Sequence, residues 1–330
     1  MTILVTGGAG YVGSHVAHAL VAAGREVVVV DDLRTGAASA VPPGSPLVEL
    51  DVLDTARLTA VAREHGVTAC VHLAGLKNPG ESMTDPGRYF KVNVSGTLSV
   101  LEALVAAGVR DLVFSSSCSV YGAARDLPVT EDSPLAPVSP YGLSKLTAER
   151  MIEAFGAAHG LRWMSLRYFN AAGASLDASI GEDWGPTRNL VPLLAKAALG
   201  FRDEVVLFGA DYDTPDGTAV RDYTHVVDLA DAHVSAVRHL ADGGASGALN
   251  LGTGDGYSVL AVVKGLEEVA GVPVPVRFGE RRAGDPPVVW SDPARAEQLL
   301  GWRARFGLPE ILATAWAWHA RGVTSPGSPS

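Results

Sequence analysis

The chain has 330 residues, of which 47% are hydrophobic, and it carries a formal net charge of -10. This composition is ample for the buried core of one large domain or of two ordinary ones. The acidic balance argues against a nucleic-acid partner and against binding to an anionic membrane, since each would need a basic face.

Short apolar runs alternate with helical patterns along the first half of the chain. A strand pattern over residues 3–6 precedes a helix pattern over 11–23, and later strand patterns cover 26–32, 47–52 and 68–75. Strands this apolar are covered on both faces, as in a parallel sheet flanked by helices. The sequence therefore predicts an α/β fold with a doubly wound, Rossmann-like parallel sheet.

A glycine-rich turn joins the first predicted strand to the first predicted helix. Gly7, Gly10 and Gly13 have the spacing GxxGxxG, and backbone N–H groups at such a helix start attract an anion. Asp31 ends the next strand, where an acid binds a ribose diol and repels a 2′-phosphate. NAD is therefore favoured over NADP, although an arginine placed like Arg34 can hold that phosphate.

The pattern continues with a helix near 88–107, a strand over 112–117 and a helix over 141–159. Tyr141 and Lys145 stand four residues apart on this last helix, so the phenol and the ammonium share one helix face. A nearby positive charge favours the phenolate, and we expect the ammonium to lower the pKa of Tyr141. With the glycine turn upstream, the pair indicates the proton-transfer group of a redox enzyme.

The regular alternation ends near residue 171, where the chain becomes richer in Gly, Pro and Asp. We expect residues 1–170 to form a NAD-binding domain and residues 171–330 a smaller α/β substrate domain. The segment 226–252 is expected to return to the main sheet. Residues 324–330 have nothing to bury, and we expect them to be disordered.

Cysteine and histidine usage gives no sign of a disulfide framework or a metal site. Cys70 and Cys118 lie in apolar surroundings without framework spacing, so we expect both to be reduced and buried. The nine histidines share no metal-ligand pattern, and no metal is predicted. No cleavage site or long apolar stretch is recognisable, so we expect a cytoplasmic protein without a membrane span.

The order of these motifs carries a family resemblance. With the glycine turn, Asp31, Ser115–Ser117 and the Tyr-Lys pair, the chain resembles the extended short-chain dehydrogenase/reductase superfamily. Within it, the UDP-glucose 4-epimerase family is similar in the stretches HLAGLKNPGESMTDPGRYFKVNVSGTL, FSSSCSVYG, RYFNAAGA, GTAVRDYTHVVDLADAH and RRAGDPP. Related sugar-nucleotide dehydratases have an Asp-Glu pair after this strand's hydroxyl residue. Cys118 and Ser119 follow Ser117 here, which disfavours dehydration.

The resemblance implies a catalytic group and a cofactor site. Tyr141 is the implied base, Lys145 binds the nicotinamide ribose and tunes Tyr141, and Ser117 hydrogen-bonds the reacting oxygen. Lys77 is also a reasonable phosphate or ribose ligand on chemical grounds. The implied NAD contacts are Gly7, Gly10, Tyr11, Val12, Gly13, Asp31, Asp32, Leu33, Asp51, Val52, Leu73, Ala74, Gly75, Lys77, Asn93, Ser115, Tyr141, Lys145 and Tyr168.

The resemblance also implies a UDP-sugar substrate, whose two phosphate charges need basic groups beyond those that hold NAD. Arg221 and Arg282 are the implied diphosphate ligands, and Asp285 is implied on the uridine ribose. The stretches FNAAGA and TRNL depart from the family forms FNPTGA and PNNL. The implied substrate contacts are Ser117, Tyr141, Asn170, Asn189, Leu190, Phe208, Arg221, Arg282, Asp285 and Val289.

The implied function is reversible interconversion of UDP-glucose and UDP-galactose through a 4-keto sugar, with hydride passing to tightly bound NAD and back. Val289 falls where the family has a residue that gates the sugar pocket, and a small side chain there implies room for the N-acetylated sugars. Val289 could alternatively pack in the domain core. Other functions left open are C4 epimerisation of a UDP-glucuronate or UDP-pentose and a catalytically silent NAD-binding sensor. A homodimer is implied, with neither nucleic acid nor membrane as partner.

Overall fold

The computed structural model describes residues 1–124, 126–185, 187–281 and 286–321. The first half contains β1 (Thr2–Thr6), α1 (Tyr11–Ala22), β2 (Glu26–Asp31), β3 (Leu47–Glu49), α2 (Thr55–Glu64), β4 (Val67–His72), α3 (Pro79–Thr84), α4 (Pro86–Tyr89), a π-helical turn (Phe90–Ser95), α5 (Gly96–Ala107), β5 (Asp111–Ser117), α6 (Pro140–His159) and β6 (Arg162–Tyr168). The second half contains β7 (Asn170–Ala172), α7 (Leu190–Ala198), β8 (Val205–Phe208), β9 (Val220–Arg221), β10 (Tyr223–His225), α8 (Val226–Ala241), β11 (Gly247–Leu251), β12 (Tyr257–Ser258), α9 (Val259–Ala270), β13 (Val276–Gly279), β14 (Val288–Val289), α10 (Ala294–Leu300) and α11 (Leu308–His319).

Seven parallel strands form the main sheet in the order β11-β6-β5-β4-β1-β2-β3. The order in which successive strands are added to the sheet reverses between β1 and β4. These two strands are neighbours, with Val5 opposite Val71. β11 pairs with β6, with Leu249 opposite Leu166, so the segment that leads through α8 ends in the main sheet. The predicted doubly wound sheet is confirmed, and its crevice lies at the carboxyl ends of β1 and β4.

The central strands are buried on both faces, which explains their continuous apolar sequences. Ile3 and Val5 of β1 belong to the core that α1 and α8 cover, together with Leu229. Leu4 points to the opposite core, where Leu58 of α2 packs with residues of α5 and α6. Alternate residues of one strand thus fill two different cores, and each buried Leu or Val contributes about 1.5–3 kcal/mol.

The C-terminal part forms a smaller α/β unit with its own core, as predicted. Helices α7, α9 and α11 pack around Leu207 of β8 through Leu194, Val263 and Ile311. Strand β8 pairs with β13, and β9 lies between β12 and β14 in a three-stranded sheet. The predicted disorder of 324–330 concerns residues outside the described ranges.

Among the described residues, one helix is long enough and apolar enough to cross a membrane, judged by length and composition alone. It runs from Pro86 through the π-helical turn to Ala107, with a mean hydropathy of 1.3 in its most apolar window. Its inner face packs into the core through Leu101 and Leu104, against α2 and α6. This is the packing of a core helix, although Leu98 on the outer face is exposed.

The two cysteines are free thiols, and their burial differs. Cys70 is fully buried in β4, as expected. Cys118 is only half-buried, so that expectation is wrong. It follows the last residue of β5, where the chain leaves the sheet at its open carboxyl end.

A buried ion pair joins α6 to the sheet. Both oxygens of Glu149 accept from the guanidinium of Arg167 on β6, at 2.9 and 2.6 Å, and both side chains are almost fully buried. Ser116 donates to the same carboxylate, and the remaining Arg167 nitrogen donates to Tyr121. Since every charged atom has partners, the pair fixes the position of α6 on the sheet.

We expect Glu149→Ala to lower the free energy of unfolding by about 3–5 kcal/mol, because it leaves the Arg167 charge buried and uncompensated. Glu153→Ala is the matched control, since Glu153 lies one turn later on α6 and forms an exposed pair with Arg150. The control should lose less than about 1 kcal/mol. Urea unfolding of both variants measures the difference, and equal losses would show that Glu149 does not anchor the helix.

Candidate active site

The crevice begins where β1 and β4 end side by side. Leu73 N donates to Thr6 O at 3.0 Å and extends the pairing of the two strands by one residue. Gly7 follows with φ +72°, and a Cβ there would lie 2.6 Å from the backbone nitrogen of Ala74. Only glycine satisfies both the left-handed conformation and this close approach.

The glycine turn also brings the start of α1 against the turn itself. A Cβ on Gly13 would lie 2.0 Å from the Gly7 carbonyl oxygen, so this position too requires glycine. Gly10 is the N-cap of α1, where no side chain caps the helix and no acid stands in the first turn. Val12 packs against the core. The backbone therefore forms a cradle that fits the pyrophosphate of a dinucleotide.

Asp31 lies at the end of β2, beside this cradle, and is nearly buried. Its Oδ2 accepts from Ala9 N at 3.0 Å and its Oδ1 from Leu33 N at 2.9 Å. Burial raises the pKa of Asp31, and these two backbone N–H groups oppose that effect. Each oxygen retains acceptor capacity for a ribose hydroxyl. The carboxylate fits the predicted ribose contact and also braces the glycine turn.

Arg34, the residue that could have favoured NADP, is engaged by two acids. Its guanidinium pairs with Asp32 at 3.1 Å and with Asp51 at 2.5 Å. A 2′-phosphate here would face these two carboxylates and Asp31. Val52, which follows Asp51 and is also an implied NAD contact, is buried in the core. The arrangement supports NAD over NADP.

The π-helical turn holds the loop after β4 in position through side-chain hydrogen bonds. Asn93 in this turn accepts from Leu76 N at 2.8 Å and donates to Leu76 O at 3.0 Å. A Cβ added to Gly75 would lie 3.6 Å from Nζ of Lys145. That ammonium is buried and donates to Ser115 O at 2.8 Å. The structure thus brings together four of the implied cofactor residues, Gly75, Asn93, Ser115 and Lys145.

Tyr141 opens α6 and its phenol meets the end of β5. The Tyr141 side chain is nearly buried, and burial raises its pKa, while a hydrogen bond with Ser117 opposes the rise. The expected lowering of this pKa by Lys145 is not seen. The physical reason is that desolvation of the buried phenol dominates its pKa.

Tyr168 and Lys145 complete this end of the crevice. The Tyr168 hydroxyl forms a hydrogen bond with Ser115 Oγ, and burial raises the pKa of Tyr168 to about 12. Burial lowers the pKa of Lys145 to about 8, and the charge of Glu149 opposes that fall.

Lys77, an implied cofactor ligand, forms an ion pair with an acid in the loop between β7 and α7. Its Nζ donates to Glu182 Oε1 at 2.8 Å and stands 5.6 Å from the centre of the Tyr11 ring. The Tyr11 hydroxyl donates to Gly173 O at 2.7 Å. Asn189 also bonds to Glu182. Sequence reasoning missed Glu182, because no local spacing links it to a lysine more than a hundred residues earlier.

Three of the implied substrate residues, Arg221, Val289 and Asn170, lie on the small sheets. Arg221 on β9 pairs with Val289 on β14 in parallel register. Asn170 begins β7 and donates its backbone N–H to Asp222 O at 3.0 Å. Val289 packs against the cluster that contains Tyr121.

Asp222 is a second residue that sequence reasoning missed. Its buried carboxylate accepts from the backbone and hydroxyl of Thr253 and from those of Ser291, at 2.8–3.1 Å. Burial raises the pKa of Asp222, and these hydrogen bonds oppose the rise. The carboxylate fixes the strand that carries Arg221 to two loops. The pairing spans distant parts of the chain, which no motif revealed.

The remaining implied contacts are distributed around α7 and β8. Leu190 is the first residue of α7 and is half-buried. Phe208 ends β8 with 37% of its surface exposed. Arg282 and Asp285 fall outside the described residues, so the structure does not bear on them.

Comparison with known proteins agrees with this site. The profile of the NAD dependent epimerase/dehydratase family matches residues 3–252. The UDP-glucose 4-epimerase of Azospirillum brasilense is 46% identical over 318 residues, which cover 96% of this chain and 91% of that protein.

Solved structures give the same result. The UDP-glucose 4-epimerase from Brucella ovis, in complex with NAD, superimposes with a TM-score of 0.94 at 44% identity and covers 96% of this chain and 97% of that one. The UDP-Glc/GlcNAc 4-epimerase from Campylobacter jejuni has a TM-score of 0.85 at 35% identity, with 97% and 99% covered. The chain therefore belongs to the NAD-dependent epimerase/dehydratase family.

Proposed function

We propose that the protein interconverts UDP-glucose and UDP-galactose by reversible epimerisation at C4 on tightly bound NAD. The observation that carries this proposal is the meeting of Tyr141, Ser117 and Lys145 at the carboxyl end of β5, beside the glycine cradle. The similarity to the Azospirillum brasilense UDP-glucose 4-epimerase, at 46% identity over nearly the whole chain, supports the same chemistry.

The reaction needs one group that takes the C4 hydroxyl proton and later returns it. Tyr141 is the proposed group, and Ser117, bonded to its phenol, would hydrogen-bond the reacting oxygen. NAD, when bound, supplies the hydride acceptor and donor. Because burial raises the pKa of Tyr141, the phenolate must be stabilised within the site. The nearby Lys145 charge and the Ser117 hydroxyl are the groups proposed to do so.

Epimerisation also requires the 4-keto sugar to present its opposite face before hydride returns. The nucleotide end must therefore stay bound while the sugar turns. We assign the cofactor to residues 1–170 together with 226–252, and the UDP-sugar to the rest of the chain. Arg221, with Arg282, is proposed to hold the diphosphate by forked hydrogen bonds, and Asp285 the uridine ribose.

A homodimer in the cytoplasm is the proposed state of the protein. The outer faces of α3, α5 and α6 expose Met83, Leu98 and Leu143 by 63%, 38% and 45%. Covering such apolar side chains is what a second copy of the chain would do. Two free thiols without a disulfide are consistent with a reducing compartment.

A second activity, on UDP-N-acetylglucosamine and UDP-N-acetylgalactosamine, is proposed from Val289. This side chain is half-buried, packs against the Tyr121 cluster and belongs to a residue paired in register with Arg221. The UDP-Glc/GlcNAc 4-epimerase of Campylobacter jejuni is a related structure. Epimerisation of a UDP-glucuronate or UDP-pentose and a silent sensor are the alternatives, and conversion of UDP-galactose in a coupled assay distinguishes them.

Tyr141→Phe is expected to lower turnover of UDP-galactose by about 10²–10⁴-fold, because it removes the proton acceptor and keeps the buried ring. Bound NAD and the melting temperature should match those of the parent. A coupled assay of UDP-glucose formation measures the rate. Turnover within threefold of the parent would show that another group is the base.

Asp31→Ala is expected to weaken NAD binding about tenfold or more, since charge-assisted hydrogen bonds contribute roughly 1.5–3 kcal/mol. NADP binding should weaken less, because the substitution also removes a charge that repels the 2′-phosphate. Calorimetry with both dinucleotides on NAD-stripped, folded protein gives the two affinities. An equal loss for both would mean that Asp31 acts only by bracing the glycine turn.

Val289→Tyr is expected to abolish conversion of the N-acetylated sugars and to leave UDP-galactose conversion within threefold. The larger ring fills the space that a 2-N-acetyl group needs. Comparing kcat/KM for both substrate pairs in the parent and the variant tests this. Equal losses on both pairs would indicate a damaged pocket, and absence of the second activity in the parent would remove the proposal.

A further inference from the structure

Glu182 is a buried carboxylate that connects the two halves of the crevice. It lies in the loop between β7 and α7 and is only 4% exposed. Its Oε1 accepts from Lys77 Nζ at 2.8 Å and from Thr187 Oγ1 at 2.9 Å. Asn189 Nδ2 lies 2.8 Å from Oε1 and 3.0 Å from Oε2. The carboxylate thus accepts hydrogen bonds from the loop after β4 and from residues just before α7.

The backbone that carries Glu182 is fixed by the C-terminal helix. Trp318 Nε1 on α11 donates to Glu182 O at 3.0 Å. A Cβ on Gly181 would lie 2.5 Å from the Trp318 ring, so the chain lies directly against the indole. Ala174 N, near the start of the same loop, donates to Thr314 Oγ1 on α11 at 3.2 Å. These contacts fix the backbone position of Glu182, so the side chains that hydrogen-bond to its carboxylate must orient toward it.

The chemistry of a carboxylate decides how Asn189 is oriented. An ionised carboxylate only accepts hydrogen bonds, so the NH₂ group of Asn189 must face Glu182. The amide oxygen of Asn189 then points the other way and is available to a ligand donor. Lys77 uses one of its three N–H donors on Glu182, and its side chain is 56% exposed.

We propose that Glu182 is a positioning residue for the epimerisation. It presents the amide oxygen of Asn189 to the UDP-sugar and the ammonium of Lys77 to the dinucleotide, and it couples the two ligands through one carboxylate. This inference rests on the proposed function above, because it assigns a role in the same site. It adds a residue that contacts neither ligand in this scheme and acts through two that do.

Glu182→Gln tests the orientation with little change in size. A carboxamide presents its own NH₂ to one of the donors and favours the flipped amide of Asn189. With NAD-loaded enzyme, KM for UDP-galactose should rise about tenfold while kcat stays within threefold, as for loss of a uniform binding contact. The Kd for UDP, measured by calorimetry, should rise by the same factor. Glu64→Gln, an exposed carboxylate paired with Arg57 on α2, is the matched control and should change neither.

A double variant decides whether Glu182 acts through Asn189. Asn189→Ala alone should raise KM and Kd, and adding Glu182→Gln should cause no further loss. Multiplied losses in the double variant, or an unchanged KM in the single one, would overturn the proposal. A fall in kcat and melting temperature at constant KM would do the same, since it indicates a merely structural role.

A second cycle needs no substitution at Glu182 and covers the case in which that variant does not fold. Lys77→Ala and Asn189→Ala alter residues that meet only at this carboxylate. Their combined effect on the Kd for UDP should differ from the product of the single effects by more than about twofold. Independent effects would contradict coupling. Because UDP binding is measured without turnover, these results remain informative even if the parent does not convert UDP-galactose.

Discussion

The close approach of the first glycine turn to the end of β4 is the constraint on which the rest of the site depends. Gly7 admits no side chain because the backbone of Ala74 lies against it, and Gly13 admits none because the Gly7 carbonyl does. Together the two glycines fix the start of α1 at the carboxyl ends of β1 and β4. The same contact fixes the loop that leads to Lys77, so one steric requirement locates both the phosphate cradle and a charged side chain of the crevice.

Desolvation governs the chemistry at the other end of the crevice. Burial raises the pKa of Tyr141 and lowers the pKa of Lys145 to about 8, so each group resists its charged form. A site of this kind strengthens every nearby charge or dipole, because little water screens it. Its geometry must therefore be fixed independently of the ligands. The buried pair of Glu149 and Arg167 does this, about two turns after Tyr141 on the same helix.

The sequence predicted those features that depend on local pattern. The two-sided apolar strands gave the doubly wound sheet, and the glycine spacing with Asp31 gave the cradle, because these requirements act within a few residues. It did not predict the hydrogen-bond networks around the Glu182 and Asp222 carboxylates, whose partners are distant in the chain. It also misjudged the pKa of Tyr141 for the same reason. The burial of Tyr141 depends on how β5, α6 and their neighbours pack. The spacing of residues along the helix indicates only that the Lys145 ammonium is near.

The two missed carboxylates bear on the proposal that the nucleotide end of the substrate stays bound while the sugar turns. Glu182 and Asp222 fix the loops and strands that carry Asn189 and Arg221, the residues proposed for the substrate's polar end. Val289, by contrast, packs on an apolar cluster and has no hydrogen-bonding group in its side chain. A hydrocarbon side chain beside the proposed keto-sugar would form no directional bond to either face of the ring. Epimerisation requires this asymmetry, because a pocket that bound one face tightly would return the hydride to that face alone.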